Sequence, residues 1–349
     1  MRVAGTRATE RRLSFTHHGE HSALARLLRA PAAGNTAGKR GLAGWTYVSE
    51  AVVTSTRTAH LLASYRSSGR PFTAAGVGSF VLDMGQRDAQ PVLCVHGVPA
   101  SAYLYRKVVP ALADLGLRGI AVDLPGLGLA ERPGDFDYSW TGLGRWLGCA
   151  IDALQLDRFH LVVHDIGGPV GFEVAAADPG RVLSLTLLNT IVAVETFRRP
   201  WVMEPFAHPG VGEAWLESLR IPGVFVSLMR YLGVSRNVSV AEIACYVPLL
   251  LGADGGRAFL KIMRGFEPTV DKQHRYLSVV RHPAYPVQIV WGGRDRALSW
   301  RRYGVQAQLA AGLDDATVLP GKHFLQEEYA PEIAEAVYRL SEQSRTRGA

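Results

Sequence analysis

Cysteine is scarce in this chain, which has three in 349 residues. Cys94, Cys149 and Cys245 are odd in number, far apart and embedded in apolar stretches. This spacing excludes a dense disulfide framework and a zinc clamp, both of which need cysteines in sets. We therefore expect buried free thiols in a reducing compartment, and we predict a cytoplasmic location.

Long apolar runs are absent as well, since no stretch approaches the roughly 18 residues that a membrane-spanning helix requires. The pair Arg11-Arg12 is not followed by an uninterrupted apolar segment before Pro31, so an export signal is not expected. The segment Gly126-Leu127-Gly128 lacks the spacing of a dinucleotide fingerprint, and no metal-ligand cluster is recognisable. The sequence predicts no membrane span, no metal and no cofactor.

Positive charge is concentrated in one segment. The whole chain carries +7, but residues 1–45 hold eight Lys or Arg and two acids, Glu10 and Glu20, and so account for +6. This segment is rich in Ala, Gly and Arg and lacks the aromatic and groove-reading features of nucleic-acid binding. We predict a basic, disordered extension here and no nucleic-acid partner.

The rest of the chain alternates between strand-like and helix-like segments. Apolar runs predict strands at residues 72–74, 77–83, 92–96, 119–123, 159–164, 182–189, 287–291 and 316–319. Helix signals cover residues 46–66, 101–115, 141–154, 171–177 and 331–340. Such alternation is typical of crossover units, and strands that are apolar throughout indicate burial on both faces. The predicted fold class is α/β, with a mostly parallel sheet and helices on both faces.

The alternation stops between residues 190 and 283, where helical segments rich in Trp, Phe and Met replace it and no strand is evident. In an open parallel sheet, ligands bind beyond the carboxyl ends of the strands, and an inserted segment there covers the site. We predict a core formed by residues 46–189 and 284–349, and a helical cap formed by residues 190–283.

Three titratable side chains come just after predicted strands. An apolar run stops at Asp165 and continues with Gly167 and Gly168, which is typical of a sharp strand-to-helix turn that exposes a nucleophile. An aspartate that opens a helix is often only an N-cap, and loop residues such as Asp295 and His323 are usually solvated. The order nucleophile, acid, histidine nevertheless matches the α/β-hydrolases and favours a catalytic site.

An aspartate in this position favours a particular chemistry. An ionised carboxylate attacks carbon without first giving a proton to a base, and the product is an ester between Asp165 and the substrate. His323 would then activate the water that cleaves this ester, while Asp295 orients the imidazole. The backbone N–H groups of Val98 and Ile166 are the predicted donors to the negative charge that develops on Asp165.

Four longer motifs accompany the turn at Asp165. They are His96-Gly97-Val98-Pro99-Ala100-Ser101, Tyr103-Leu104-Tyr105-Arg106-Lys107, Asp123-Leu124-Pro125-Gly126-Leu127-Gly128 and Gly321-Lys322-His323-Phe324-Leu325-Gln326-Glu327-Glu328. Together with that turn, these motifs resemble the haloalkane dehalogenase family of the α/β-hydrolase fold. The resemblance covers about residues 70–340. It implies hydrolysis of a carbon–halogen bond to an alcohol and a halide, with a small apolar organic molecule and water as the substrates.

The resemblance also implies which residue is the acid. One branch of the family carries it after the strand that follows the nucleophile helix, where this chain has Asn189. Asparagine cannot be that acid. The other branch has asparagine there and an aspartate after the next core strand, as Asp295 stands here, so Asp295 is the predicted acid and Glu195 the alternative.

The predicted halide site departs from the family pattern. Family members hold the halide between two side-chain N–H donors, but this chain has Ile166 directly after the nucleophile and Val98 at a second donor position. Neither side chain donates a hydrogen bond. Trp215 in the predicted cap is the first candidate for a replacement donor, and Trp201 is the second.

This departure keeps another reaction open. Epoxide hydrolases share the aspartate, acid and histidine, and their caps supply two tyrosine hydroxyls that protonate the opening ring. Tyr231, Tyr246 and Tyr276 of the predicted cap are the candidates for that role. The sequence therefore favours a dehalogenase-like hydrolase, with an epoxide hydrolase as the alternative and a non-catalytic ligand-binding protein of the same fold as a third reading.

Overall fold

The computed structural model describes residues 56–281 and 283–348. The predicted extension at residues 1–45 lies outside the described residues, as does the first half of the helix predicted at residues 46–66. The described helices and strands are, in chain order, α1 (Thr56–Ser67), β1 (Arg70–Ala74), β2 (Val77–Met84), β3 (Pro91–Val95), α2 (Val108–Asp114), β4 (Arg118–Val122), α3 (Trp140–Ala153), β5 (Phe159–Asp165), α4 (Gly167–Ala177), β6 (Val182–Thr190), α5 (Val211–Ser218), α6 (Val224–Leu228), α7 (Val240–Ala244), α8 (Tyr246–Leu251), α9 (Arg257–Arg264), α10 (Val270–Val280), β7 (Val287–Gly292), α11 (Val305–Ala311), β8 (Thr317–Leu319) and α12 (Ala330–Gly348).

The strands of the described residues form one sheet of eight, in the order β1-β2-β4-β3-β5-β6-β7-β8. The pairs β1–β2 and β2–β4 are antiparallel, and every later pair is parallel. Strands β3, β5 and β6 are buried along nearly their whole length, and α2 packs against α12 while α3 packs against α4. The predicted α/β class and its mostly parallel sheet are confirmed.

Each predicted strand is present within two residues of its predicted ends. The helices differ more. Residues 101–115 form a 3₁₀ turn, Ala102–Tyr105, and then α2, because the buried Asp123 carboxylate accepts the N–H of Ala102 and holds the chain in the turn. Helix α12 extends to Gly348, beyond the predicted end at residue 340, because no proline or glycine interrupts its last two turns before that glycine.

The segment between β6 and β7 contains helices α5 to α10 and, in its described residues, no strand. We call residues 191–281 and 283–286 the helical insert. An ion pair and a hydrogen bond join it to the sheet-bearing part of the chain. Arg106, directly after the 3₁₀ turn, binds Glu327 through two bonds of 2.6 and 2.7 Å and Glu242 of the insert through one of 3.0 Å. The carboxylate of Glu173 on α4 likewise accepts the hydroxyl of Tyr276 at 2.8 Å.

The three cysteines are free thiols, as expected. Cys94 and Cys245 are buried, but Cys149 is exposed, which corrects the expectation that all three are buried. Cys149 lies on the outer face of α3, whose buried face includes Trp146 and Ala150. Among the described helices, none combines the length and apolar character needed to span a bilayer.

Candidate active site

Asp165 ends β5 in the sharp turn that the sequence predicts. Its φ of 54° lies in the left-handed region, which costs a non-glycine residue about 1–3 kcal/mol. Small neighbours make room for the turn, because a Cβ on Gly97 would overlap the Asp165 carboxylate and one on Gly168 would overlap the hydroxyl of Thr190. That hydroxyl donates to the Asp165 carbonyl at 2.6 Å. The turn therefore projects the carboxylate beyond the carboxyl edge of the sheet.

One predicted backbone donor already holds this carboxylate. The N–H of Val98 donates to Asp165 Oδ1 at 2.8 Å. Within the described residues, the N–H of Ile166 makes no hydrogen bond to the carboxylate, although Ile166 is the next residue and begins the turn into α4. The two carboxylate oxygens are therefore in different environments, with Oδ1 bound to the main chain.

His323 links Asp165 to Asp295. Its Nδ1–H donates to Asp295 Oδ2 at 2.8 Å, and its Nε2 lies 3.5 Å from Asp165 Oδ2. Asp295 accepts three further bonds, from the N–H groups of Ala297 and Leu298 at 2.7 and 2.9 Å and from Asn189 Nδ2 at 2.6 Å. Burial opposes ionisation of Asp295, but the charge of His323 and these donors hold its pKa below the ordinary value. The structure thus brings the three predicted catalytic side chains together.

The imidazole of His323 lies between two carboxylates. Burial alone would lower its pKa, but the charge of Asp295 and the hydrogen bond and charge of Asp165 outweigh it and raise the pKa to about 10. In the free site at neutral pH, His323 is therefore protonated and faces the carboxyl groups of Asp165 and Asp295. An imidazolium cannot act as a base until one of these charges is removed.

Two further side chains position this network. Asn189, with a φ of 31°, donates to Asp295 and accepts the N–H of Gly292 through Oδ1 at 2.7 Å. His164 donates through Nε2 to the carbonyl of His323 at 2.9 Å, and burial, together with the His323 charge, lowers its pKa to about 3. In the sequence, Asn189 stands out only as an unsuitable acid, and no motif singles out His164. The one available signal for both residues is their position at the ends of β6 and β5.

Asp165 and His323 line a cavity whose other walls are almost entirely apolar. Most of the lining comes from the helical insert, including Phe197, Met203, Phe206, Trp215, Phe225 and Met263. Within the described part of the chain, Arg199 is the one Lys or Arg that lines this cavity. No group of three or more His, Cys, Asp or Glu among the described residues is arranged to hold a metal ion. The arrangement suits an apolar ligand that reacts with Asp165.

The predicted tryptophan donors occupy different places. Trp215 lines the cavity, but its indole N–H donates to the Val202 carbonyl at 2.9 Å and so is not directed at a ligand. Trp201 does not line the cavity, because its side chain is 42% exposed and its ring packs against Tyr231. The structure therefore offers neither indole N–H to the cavity.

The structure does not bring the three predicted tyrosines to the cavity either. Tyr246 donates its hydroxyl to Glu327 at 2.6 Å, and Tyr276 donates to Glu173. Tyr231 is exposed, and the guanidinium of Arg296 lies 4.6 Å from its ring. The buried pair serves the ion networks that join the insert to the core, which corrects the expectation of ring-opening acids.

Glu195, the alternative acid, is also placed away from the site. Its side chain is exposed, and its backbone N–H donates to Gln273 Oε1 at 3.1 Å. Asp295 instead occupies the position beside His323 Nδ1, in agreement with the order of elements along the chain. The carboxylate that lies beside His323 therefore comes from the loop after β7 and not from the insert.

The chain is similar to proteins of known class. The profile that describes the alpha/beta hydrolase fold matches residues 90–330. A haloalkane dehalogenase of Mesorhizobium japonicum is 31% identical over 269 residues, which cover 70% of this chain and 82% of that protein. A haloalkane dehalogenase of Psychrobacter cryohalolentis is 40% identical over 112 residues, which cover 32% of this chain and 37% of that protein.

Solved structures share the fold at lower identity. A haloalkane dehalogenase from Bradyrhizobium elkani has a TM-score of 0.67 and 23% identity, with 80% of this chain and 99% of that chain covered. The epoxide hydrolase CorEH has a TM-score of 0.62 and 21% identity, with 78% of this chain and 97% of that chain covered. The chain therefore belongs to the alpha/beta hydrolase fold family, as a haloalkane dehalogenase-like member, and it is a hydrolase.

Proposed function

We propose that this hydrolase cleaves the carbon–halogen bond of small apolar haloalkanes through a covalent ester on Asp165. The observation that carries the proposal is that the two carboxylate oxygens of Asp165 have different partners. Oδ1 is held by the Val98 N–H, and Oδ2 faces His323 inside an apolar cavity. Relatives that are haloalkane dehalogenases support the substrate class.

In the first step, Asp165 Oδ2 attacks the carbon that carries the halogen. The new C–O bond forms as the carbon–halogen bond breaks, and the bonding pair leaves with the halide. Oδ1 becomes the carbonyl oxygen of the ester and keeps its bond to Val98. An apolar cavity favours this step because it removes water from the carboxylate while the main chain keeps it oriented.

Ester formation itself prepares the second step. It removes the negative charge of Asp165, one of the two carboxylates that raise the pKa of His323. The pKa of His323 then falls, so the imidazolium releases its proton to solvent, and the neutral imidazole takes a proton from the attacking water through Nε2. The charge that develops on Oδ1 is stabilised by Val98, with the N–H of Ile166 as the second donor. When the C–O bond to the substrate breaks, the departing oxygen takes the remaining proton of the added water, which gives the alcohol and restores the Asp165 carboxylate and the His323 imidazolium.

The helical insert supplies the walls of the cavity, and we propose that residues 190–283 act as its cap. The basic extension at residues 1–45 has no role in this scheme. The three free thiols support a cytoplasmic location, where cysteines stay reduced.

A single turnover in heavy-oxygen water tests the ester. Water attacks the Asp165 carboxyl carbon in this mechanism, so the label enters Asp165 and the first alcohol formed is unlabelled. Peptide mass spectrometry locates the label. Unlabelled protein with labelled alcohol would mean that water attacks the substrate directly, and the proposal would be wrong.

A substrate panel tests the reaction class separately. Bromoalkanes and terminal epoxides of equal chain length are offered to the full chain, and halide and diol are measured. We expect halide release without diol formation, because the described tyrosines do not reach the cavity. Diol without halide would assign the protein to the epoxide hydrolases, and the absence of both would support the non-catalytic reading.

A further inference from the structure

A halide that leaves in this cavity needs a hydrogen-bond donor. The side chains of Val98 and Ile166 cannot donate, and the indole N–H of Trp215 is bonded to the main chain. An anion that is released among apolar side chains without a partner is strongly disfavoured. Some other group of the cavity has to receive the negative charge.

Arg199 has the right chemistry and location. It lies in the insert between β6 and α5, and its side chain is 21% exposed while it lines the cavity. Its guanidinium rests 4.7 Å from the ring of Phe266, which lines the same cavity. The cation is therefore packed into the wall of the site.

The hydrogen bonds of Arg199 leave capacity for a ligand. Nη2 donates to the Met263 carbonyl at 3.0 Å, and Nη1 lies 4.0 Å from Glu204 Oε2, at the outer limit of an ion pair. The Nε–H is buried and has no partner among the described residues. A buried donor without a partner is costly, and a site that is filled during the reaction explains its retention.

The charges of the other side chains in the site also favour Arg199 as the group that meets the halide. Before the reaction, the carboxylates of Asp165 and Asp295 face the imidazolium of His323. The imidazolium is thus engaged with these two side chains while the carbon–halogen bond breaks, and Arg199 is the one Lys or Arg among the described cavity-lining residues that the halide can meet. A guanidinium keeps its charge throughout.

We propose that Arg199 receives the departing halide through its guanidinium N–H groups. This inference rests on the proposed function and specifies the leaving-group site of that reaction. Asp165 forms the C–O bond, the carbon–halogen bond breaks, and the halide leaves with the bonding pair toward Arg199. Arginine here takes the place of the neutral side-chain N–H donors that Val98 and Ile166 do not provide.

The test isolates ester formation. In the His323→Gln background the ester accumulates, and its rate of formation is followed by intact mass with 1-chloro-, 1-bromo- and 1-iodohexane. Adding Arg199→Met should slow ester formation from 1-chlorohexane on the order of 100-fold. The rate with 1-bromohexane should fall less, and the rate with 1-iodohexane least. The poorer leaving group depends more on the donor. Arg199→Lys keeps the charge without the planar donor geometry and should give an intermediate loss.

Arg198→Met in the same background is the matched control, because Arg198 is exposed and does not line the cavity. Bromide inhibition of the otherwise unmodified enzyme gives a second readout, and it should weaken at least tenfold in Arg199→Met. If Arg199→Met is too unstable to assay, Arg199→Lys is used instead. A loss of rate that is largest for the chloride substrate and smallest for the iodide substrate supports the halide role, and an equal loss contradicts it.

The outcomes separate this inference from the proposed function. One outcome is that the ester forms in His323→Gln and its rate of formation falls equally for all three halides, or not at all, when Arg199→Met is added. Either result overturns the halide role of Arg199 and leaves the proposed function intact. If no ester forms in His323→Gln itself, the proposed function fails and this inference fails with it.

Discussion

The carboxyl edge of the sheet and the helical insert contribute to the site in different ways. At the edge, polar side chains point at one another, as in the chain of bonds from Asn189 through Asp295 to His323. In the insert, the polar groups of Trp215, Tyr246 and Tyr276 bind the main chain or the ion networks, and apolar surface remains for the cavity. Under the proposed mechanism, the edge supplies the groups that react with the substrate, and the insert supplies most of the surface that surrounds it.

The largest expected effect comes from the edge. Asp165→Asn should remove ester formation and lower turnover on the order of 10⁵-fold, since it removes the proposed nucleophile. Asparagine is the suitable replacement because it tolerates the left-handed backbone at this position better than alanine. Halide release is the measurement, and mass spectrometry excludes deamidation back to aspartate. Turnover within tenfold of the starting enzyme would move the chemistry away from the sheet edge.

His323→Gln should separate the two steps. Ester formation continues, because Asp165 needs no base, while turnover falls on the order of 10³-fold through loss of the general base. Intact mass should show a protein that is heavier by one alkyl group. The Arg198→Met single variant is the control, because it removes an exposed charge that does not line the cavity, and its turnover should be unchanged. A His323→Gln protein that turns over freely would remove His323 from the second step.

The pKa of His323 also predicts how stability depends on pH. Folding raises this pKa from about 6.5 in an unfolded chain to about 10, so the folded protein binds more protons between these values. The stabilisation is complete below pH 6.5 and is lost as the pH rises through 10. Urea unfolding at pH 6, 8 and 10 measures it, and His323→Gln should lack this component. Equal pH dependence of both proteins would contradict the raised pKa.

The sheet edge could be predicted from sequence because each of its residues follows an apolar strand. Parallel strands bring Asp165, Asp295 and His323 to the same edge whatever the loops do in detail. The insert offers no such rule, since its helices are short and their side-chain directions depend on packing with distant elements. That the indole of Trp215 faces Val202, and that Arg199 folds onto Phe266, are consequences of this packing.

Trp215→Phe tests the insert with a smaller change. The substitution keeps an aromatic wall and removes an N–H that is bonded to Val202. We expect kcat to stay within about threefold of that of the unsubstituted enzyme, with no change in the order of chloride, bromide and iodide reactivity. Loss of the hydrogen bond should lower the free energy of unfolding by about 0.5–1.5 kcal/mol. Steady-state kinetics on the three hexyl halides and urea unfolding provide the values. A large, halide-dependent fall would instead assign the halide to Trp215.

The smallest expected effect on halide release is that of the tyrosine hydroxyls. Tyr246→Phe and Tyr276→Phe each remove a bond to a carboxylate that other cations also bind, Glu327 through Arg106 and Glu173 through Lys272. We expect at most a few kcal/mol of lost stability, about 1–3 for a bond to a charged group, and unchanged halide release. The double variant assayed on terminal epoxides is the decisive measurement. A diol-forming activity that disappears with these hydroxyls would give the tyrosines a chemical role, whereas a purely structural role affects unfolding and leaves the reaction at the sheet edge intact.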